Sequence, residues 1–151
     1  MKTRGFEICK GFEDTAILPT RGSKNSAGYD FYSPKDFVLK PKETILIMTG
    51  IKAYMKDNEV MQVYIRSSIG IKKHTINANC VCVIDADYYN NPKNEGNIIL
   101  GLYNRGENEV DFKKGERLVQ GIFTKYLKAD NDNTKIERNG GIGSTTELSL
   151  F

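Results

Sequence analysis

The segment Val60-Met61-Gln62-Val63-Tyr64-Ile65 decides the fold class, because it is short, rich in β-branched and aromatic residues, and preceded by the turn residues Lys56-Asp57-Asn58. Three further runs share this character, at residues 44–48, 97–103 and 118–123. No stretch of a dozen residues carries a helical apolar period, and at most a turn or so of helix fits residues 68–73. Many short strands at this spacing predict an all-β fold, a barrel or a jelly-roll-like sandwich, and Gly121 inside a strand predicts a bulge or a close backbone approach.

Length and composition predict one globular domain, since 151 residues are enough to bury a core. No apolar run approaches the ~20 residues that a membrane span needs, and the first residues are too polar for a signal peptide. We therefore expect a cytoplasmic protein with no membrane partner. The net charge is +3, and the lysines are spread along the chain rather than gathered in a basic stripe. This distribution predicts no nucleic-acid partner and leaves small anionic ligands open.

The cysteines and the single histidine indicate no metal centre. The three cysteines, Cys9, Cys80 and Cys82, do not have the spacing of metal ligands, and an odd number cannot all pair, so we expect buried reduced thiols. We also expect Cys80 and Cys82 to lie on one face of a strand. His74 is expected at the surface. Without a plausible Ser-His-Asp or Cys-His set, covalent catalysis is not expected.

The C-terminal residues differ in character from the rest. We expect a β-barrel catalytic domain over residues 1–127 and a linker and arm over residues 128–151, which are polar and then glycine-rich. Composition alone favours a flexible terminus. The alternative is a mobile arm that orders over a ligand.

Asp85 and Asp87 follow a buried-strand pattern at residues 81–84. On an extended strand their spacing places both carboxylates on one face. Such a pair suits a general base that activates water, with the second carboxylate held by hydrogen bonds. A solvated turn is the alternative. Tyr88 follows and is able to stack on a sugar or a base, or to pack within the strand.

Phosphate-binding candidates lie elsewhere along the chain. Arg66-Ser67-Ser68 ends a strand and combines a guanidinium, two hydroxyls and backbone N–H groups. Gln120 is able to donate an amide to a phosphate oxygen, and Asp30 closes a tight turn that suits a metal-phosphate site. The segment 140–145 is rich in glycine but lacks the lysine of a Walker A loop, which excludes a P-loop NTPase.

Five segments, in this order, resemble the five motifs of the trimeric dUTP pyrophosphatases (dUTPases) across essentially the whole chain. These segments are Ala27-Gly28-Tyr29-Asp30-Phe31, Arg66-Ser67-Ser68-Ile69-Gly70, residues 79–88, Gly115-Glu116-Arg117-Leu118-Val119-Gln120, and residues 138–145. The resemblance implies a distorted jelly-roll or β-barrel in a homotrimer with shared sites, where the arm of one chain covers the pocket of another. It also implies hydrolysis of dUTP to dUMP and pyrophosphate, which keeps uracil out of DNA and supplies dUMP for thymidylate synthesis.

The resemblance also implies roles for individual residues. Asp85 would activate the water that attacks the α-phosphate, with Mg²⁺ bridging the phosphates and Asp30 ordering metal-bound waters, without a direct protein ligand. Asn79 would read the uracil edge, and Tyr88 would exclude a 2′-hydroxyl. The phosphate grip and the arm would supply the remaining substrate contacts: Arg66, Ser67, Ser68 and Gln120 from the barrel, and Arg138, Ile142, Gly143, Ser144 and Thr145 from the arm.

The sequence departs from the family pattern near the base pocket. Cys82 stands where the family has glycine, and Ile142 replaces the aromatic residue that stacks on uracil. Loss of base stacking costs ~1–3 kcal/mol in nucleic-acid sites, so a raised KM is expected. Arg138 lies one residue closer to the glycines than the corresponding arginine does in many members of that family. Residues 89–96 make the turn after the third motif longer than the family pattern.

Two alternatives remain. A dCTP deaminase shares the fold, but its arginine after the Arg-Ser-Ser triplet is replaced here by Ile71. A non-catalytic, nucleotide-responsive module with a regulatory protein partner is favoured by Cys82 and Ile142, because both fall on the base pocket.

Overall fold

The computed structural model describes residues 1–143, which are built almost entirely from β-strands. In chain order these are β1 Gly5–Ile8, β2 Thr20–Arg21, β3 Tyr29–Tyr32, β4 Phe37–Leu39, β5 Thr44–Met48, β6 Ile51–Tyr54, β7 Glu59–Ile65, β8 Thr75–Asn77, β9 Cys82–Asp85, β10 Ile99–Asn104, β11 Val110–Phe112 and β12 Arg117–Lys125. A short helix, α1 (Ser67–Lys72), follows β7, and a 3₁₀ turn (Ala86–Tyr88) follows β9. The all-β prediction is confirmed, and the four predicted strands correspond to β5, β7, β10 and β12.

The strands form antiparallel sheets around one apolar core. The largest sheet has the order β2-β3-β12-β7-β9, a second has the order β5-β10-β8, and β1-β6 and β11-β4 form two-stranded pairs. The largest fully buried side chains come from several of these sheets: Phe31, Phe112, Leu39, Ile47, Ile51, Met61, Ile98, Leu100, Leu102, Leu118, Val63 and Val119. The alternation along β10, in which every second residue is buried, shows how period-two patterning directs one face inward.

Gly121 lies where β12 passes between β3 and β7. A Cβ atom there would stand 2.8 Å from the Met61 sulfur and 3.0 Å from a Phe31 ring carbon, so the backbone must approach closely. The close-approach prediction is confirmed, whereas the register shift in β12 falls between Arg117 and Val119.

Two sequence predictions concern the edges of the fold. Cys9 and Cys82 are buried free thiols, but the prediction for Cys80 is wrong: β9 begins only at Cys82, and Cys80 is exposed in the preceding turn with a φ of +64°. After Lys125, residues 126–143 contain no strand or helix. Within residues 1–143, no helix is long and apolar enough to cross a membrane.

Candidate functional site

The order of the largest sheet places four of the five motif segments on adjacent strands. Asp30 lies on β3, Gln120 on β12, Arg66 just after β7, and Asp85 at the end of β9. In the register, Gln120 is opposite both Asp30 and Tyr64. The sheet therefore gathers residues that are up to ninety positions apart in sequence.

Asp30, Arg66, Ser67, Ser68 and Gln120 are the residues predicted to act at the phosphates, and we call them the phosphate cluster. Asp30 is only 6% exposed, and its two carboxylate oxygens face two guanidinium groups. The Arg66 Nε lies 3.0 Å from one oxygen, and an Arg117 Nη atom lies 3.4 Å from the other. Ser67 and Ser68 are exposed at the start of α1. Asp30 thus orients Arg66, and its role toward metal-bound waters stays a prediction.

Gly28 packs against the Gln120 side chain at the edge of the phosphate cluster. A Cβ atom at Gly28 would stand 2.5 Å from the Gln120 Oε1 atom, and backbone is the only group that fits this close. The glycine thus keeps the turn before β3 in contact with the Gln120 amide.

A second group of predicted residues lines a cavity of about 350 Å³, which we call the hairpin pocket. Its walls come from the turn and strand around β9, from Ile99, and from the C-terminal segment: Asn79, Val81, Cys82, Val83, Ile84, Asp85, Tyr88, Arg138, Gly141 and Ile142. Ile142 is 77% exposed at the pocket rim, and Gly143 is also exposed. Ser144 and Thr145 lie outside the described residues.

Asp85 and Asp87 are brought together by Arg138 rather than by strand geometry. The prediction that both lie on one extended strand is wrong, because β9 ends at Asp85 and Asp87 belongs to the 3₁₀ turn. An Arg138 Nη atom donates to the Asp85 Oδ2 at 2.6 Å, and the Arg138 Nε donates to the Asp87 Oδ1 at 2.7 Å. One guanidinium therefore bridges the two carboxylates and holds the C-terminal segment against β9.

Burial raises the pKa of Asp85, with Asp87 also raising it and Arg138 lowering it. Desolvation disfavours the charged carboxylate, and a like charge nearby acts in the same direction. A raised pKa makes the Asp85 carboxylate a better proton acceptor, which suits activation of a water molecule.

Tyr88 forms a buried wall of the hairpin pocket. It is 8% exposed, and its hydroxyl donates to the Asn97 carbonyl oxygen at 2.8 Å. The C-terminal segment crosses the ring at Gly141, where a Cβ atom would stand 2.5 Å from a ring carbon. Only glycine permits this crossing.

Cys82 and Asn79 interact inside the pocket. The Cys82 thiol donates to the Asn79 Oδ1 at 3.3 Å, and burial raises the pKa of this thiol. The carboxamide oxygen that would face a base edge is therefore engaged by the residue that replaces the family glycine.

The phosphate cluster and Asp85 lie at opposite ends of β7. Asp85 pairs with Val60 near the start of this strand, whereas Arg66 follows its last residue. The six steps along the chain from Val60 to Arg66 rise about 3.3 Å each, which separates the backbone at the two groups by roughly 20 Å. A single triphosphate is shorter than this backbone separation.

Sequence reasoning missed Arg117 and Asn94. Arg117 is the second partner of Asp30, and its place in the fourth motif segment was the available signal. Asn94 donates from its side-chain amide to the Tyr88 hydroxyl at 2.7 Å. It lies in a turn whose sequence indicates a loop and gives no sign of this contact. In the described part of the chain, no group of three or more His, Cys, Asp or Glu residues is arranged to hold a metal ion.

Both the sequence and the fold match known proteins. The dUTPase family profile matches residues 14–146. The deoxyuridine 5′-triphosphate nucleotidohydrolase of Lactococcus lactis is 47% identical over 148 residues, covering 96% of this chain and 99% of that protein. The crystal structure of the dUTPase from Streptococcus mutans has a TM-score of 0.79 and 40% identity, covering 84% of this chain and 99% of that one. The dUTPase from phage phi11 of S. aureus shares the fold at 19% identity, with a TM-score of 0.72, covering 89% and 97% of the two chains.

Proposed function

Because the chain belongs to the dUTPase family and hydrolyses dUTP to dUMP, we propose that Asp85 activates the attacking water in this reaction. The observation that carries this assignment is the position of Asp85, which opens into the hairpin pocket from the end of β9. Its raised pKa favours proton abstraction. The water attacks the α-phosphorus, and pyrophosphate leaves.

The uracil and deoxyribose occupy the hairpin pocket in this proposal. Asn79 and the backbone around β9 face the base edge, and Tyr88 lies against the sugar, where its ring leaves no room for a 2′-hydroxyl. Tyr88 suits this role because it is buried and its hydroxyl is bonded away from the pocket, to the Asn97 carbonyl.

The substrate is the magnesium complex of dUTP. The cation is held by phosphate oxygens and water rather than by a cage of protein ligands in this proposal. Arg66, Ser67, Ser68 and Gln120 grip the phosphates, and Asp30 keeps Arg66 in place. Arg138, with Gly143, Ser144 and Thr145, closes over the γ-phosphate in this proposal, which requires Arg138 to leave Asp85 and Asp87.

We propose that the protein acts as a homotrimer with shared sites. The support comes from the separation of roughly 20 Å between Asp85 and Arg66 along β7, since a complete site needs the hairpin pocket of one subunit and the phosphate cluster of another. Within one chain, the described part of the C-terminal segment lies on the chain's own hairpin pocket, with Arg138 on Asp85. For the arm over residues 128–151 to close the site of a neighbouring subunit in the trimer, this segment must leave that position.

The test is pyrophosphate release with Mg²⁺ and dUTP, dTTP, dCTP or UTP in parallel, using Asp85→Asn as the inactive control. We expect turnover of dUTP only, and loss of turnover in the variant. Ammonia release from dCTP would instead identify a deaminase. Tight dUTP binding without hydrolysis would contradict the proposal and identify a nucleotide-responsive module.

A further inference from the structure

The turn after Tyr88 holds the hydroxyl of this tyrosine from two directions. The Asn94 Nδ2 donates to the Tyr88 hydroxyl oxygen at 2.7 Å, while the hydroxyl itself donates to the Asn97 carbonyl oxygen at 2.8 Å. The hydroxyl therefore uses its proton and one lone pair on partners within the same turn. The ring cannot shift without breaking at least one of these bonds.

Asn94 is itself fixed by the turn. Its Oδ1 accepts from the Asn91 Nδ2 at 2.6 Å and from the Gly96 N–H at 3.1 Å. The Asn91 amide also donates to the Tyr88 carbonyl oxygen at 2.8 Å. Gly96 has a φ of +85°, and a Cβ atom there would stand 2.7 Å from that carbonyl oxygen. The turn thus closes on both the backbone and the side chain of Tyr88.

A buried cation ties the turn to the barrel. Lys52, on β6, donates from its Nζ to the Asn90 Oδ1 at 2.8 Å and to the Glu95 Oε1 at 2.5 Å. The other Glu95 oxygen accepts from the Lys10 N–H at 3.0 Å. The residues on both sides of Asn94 are therefore anchored to β6 and to the turn after β1, neither of which belongs to the pocket.

We propose that Asn94 is a positioning residue for sugar selectivity, acting through the Tyr88 hydroxyl. Steric exclusion of a 2′-hydroxyl works only if the ring does not yield, and hydrogen bonds to a buried tip supply that resistance. The inference rests on the proposed function, because it requires Tyr88 to face the sugar. In this proposal the lengthened turn, residues 89–96, restrains the Tyr88 ring.

The test compares kcat/KM for dUTP and UTP in the unmodified protein, Asn94→Ala, Tyr88→Phe and the double variant. Asn108→Ala is the matched control, because Asn108 is exposed in another turn and, within residues 1–143, it bonds to the rest of the fold through its carbonyl oxygen, which the substitution keeps. The dUTP-to-UTP preference should fall about fivefold in Asn94→Ala, the effect of losing one neutral hydrogen bond. Part of this fall should come from a rise in kcat/KM for UTP, a gain that partial unfolding does not produce.

The double variant isolates the contact itself. If Asn94 acts through the hydroxyl, Asn94→Ala should change selectivity in the wild-type background and have little further effect in the Tyr88→Phe background. Equal effects in both backgrounds, or a lowered Tm with unchanged selectivity, would overturn the inference and leave the pyrophosphatase intact. Tyr88→Phe removes the two hydrogen bonds of the hydroxyl and keeps the other bonds of the turn, so unchanged selectivity in that variant would also overturn the inference. A wild-type protein with no preference for dUTP over UTP would overturn the sugar-facing role as well, and the absence of dUTP hydrolysis would overturn the proposed function.

Discussion

Gly141→Ala tests whether closure of the C-terminal segment over Tyr88 matters for turnover. The new Cβ would stand 2.5 Å from a Tyr88 ring carbon, about 0.9 Å inside ordinary contact. The ring is buried and bonded at its hydroxyl, so the C-terminal segment must lift instead. Lifting the segment breaks the two bonds from Arg138 to Asp85 and Asp87.

The size of the effect follows from these two bonds. The carboxylates of Asp85 and Asp87 are 47% and 58% exposed, so solvent screening holds each ion pair to ~0.2–1 kcal/mol. Together they contribute about 1.4 kcal/mol, which corresponds to a tenfold change in an equilibrium constant. We expect kcat/KM for dUTP to fall about tenfold, most of it in KM, while the melting temperature should fall by no more than about 3–6 °C, because about 1.4 kcal/mol is the most that the lost contacts remove from the folded state.

Steady-state pyrophosphate release measures this change. Asn139→Ala is the control, because Asn139 is exposed in the same segment and lies outside the pocket lining. A version ending at residue 137 sets the limit for complete loss of closure. Wild-type kinetics in Gly141→Ala would refute the reasoning, and so would a loss deeper than that of the shortened chain.

Two further predictions concern Asp87 and Cys82. Asp87 raises the pKa of Asp85, so Asp87→Asn should move the acidic limb of the kcat/KM profile to lower pH; no movement, or movement to higher pH, would contradict the electrostatic account. Cys82→Gly should free the Asn79 carboxamide oxygen and so lower the KM for dUTP. The same substitution removes a buried side chain and increases the conformational entropy of the unfolded chain, so the free energy of unfolding should fall by about 2 kcal/mol, or about 4–8 °C in Tm. A raised KM would show that the thiol supports the pocket rather than obstructing it.

Strand-forming patterns predicted the fold well because they depend on local residue type. The runs at residues 44–48 and 60–65 became β5 and β7, and the close packing at Gly121 also followed from its place in a strand. Local patterns fail where a strand ends: Asp85 and Cys82 mark the limits of β9, so neighbouring residues leave the extended geometry.

Long-range pairing explains what the sequence did not reveal. The separation of Asp85 from Arg66 depends on the antiparallel register of β7 and β9, which no single segment encodes. Asn94 offers another example, because an asparagine in a turn looks like solvent-exposed loop until its partner Tyr88 is known. The family resemblance supplied residue roles, but it did not supply the contact from Arg138 to Asp85.

The central claim is that Asp85 acts in a site completed by the phosphate cluster of another subunit. Oligomers that contain only Asp85→Asn chains, or only Arg66→Ala chains, should not hydrolyse dUTP. If the two variants are denatured together and refolded as mixed assemblies, some sites receive an intact Asp85 and an intact Arg66 from different chains, and activity should return. Mixing without refolding is the control for exchange. Full assembly of mixed oligomers with no recovered activity would contradict the account.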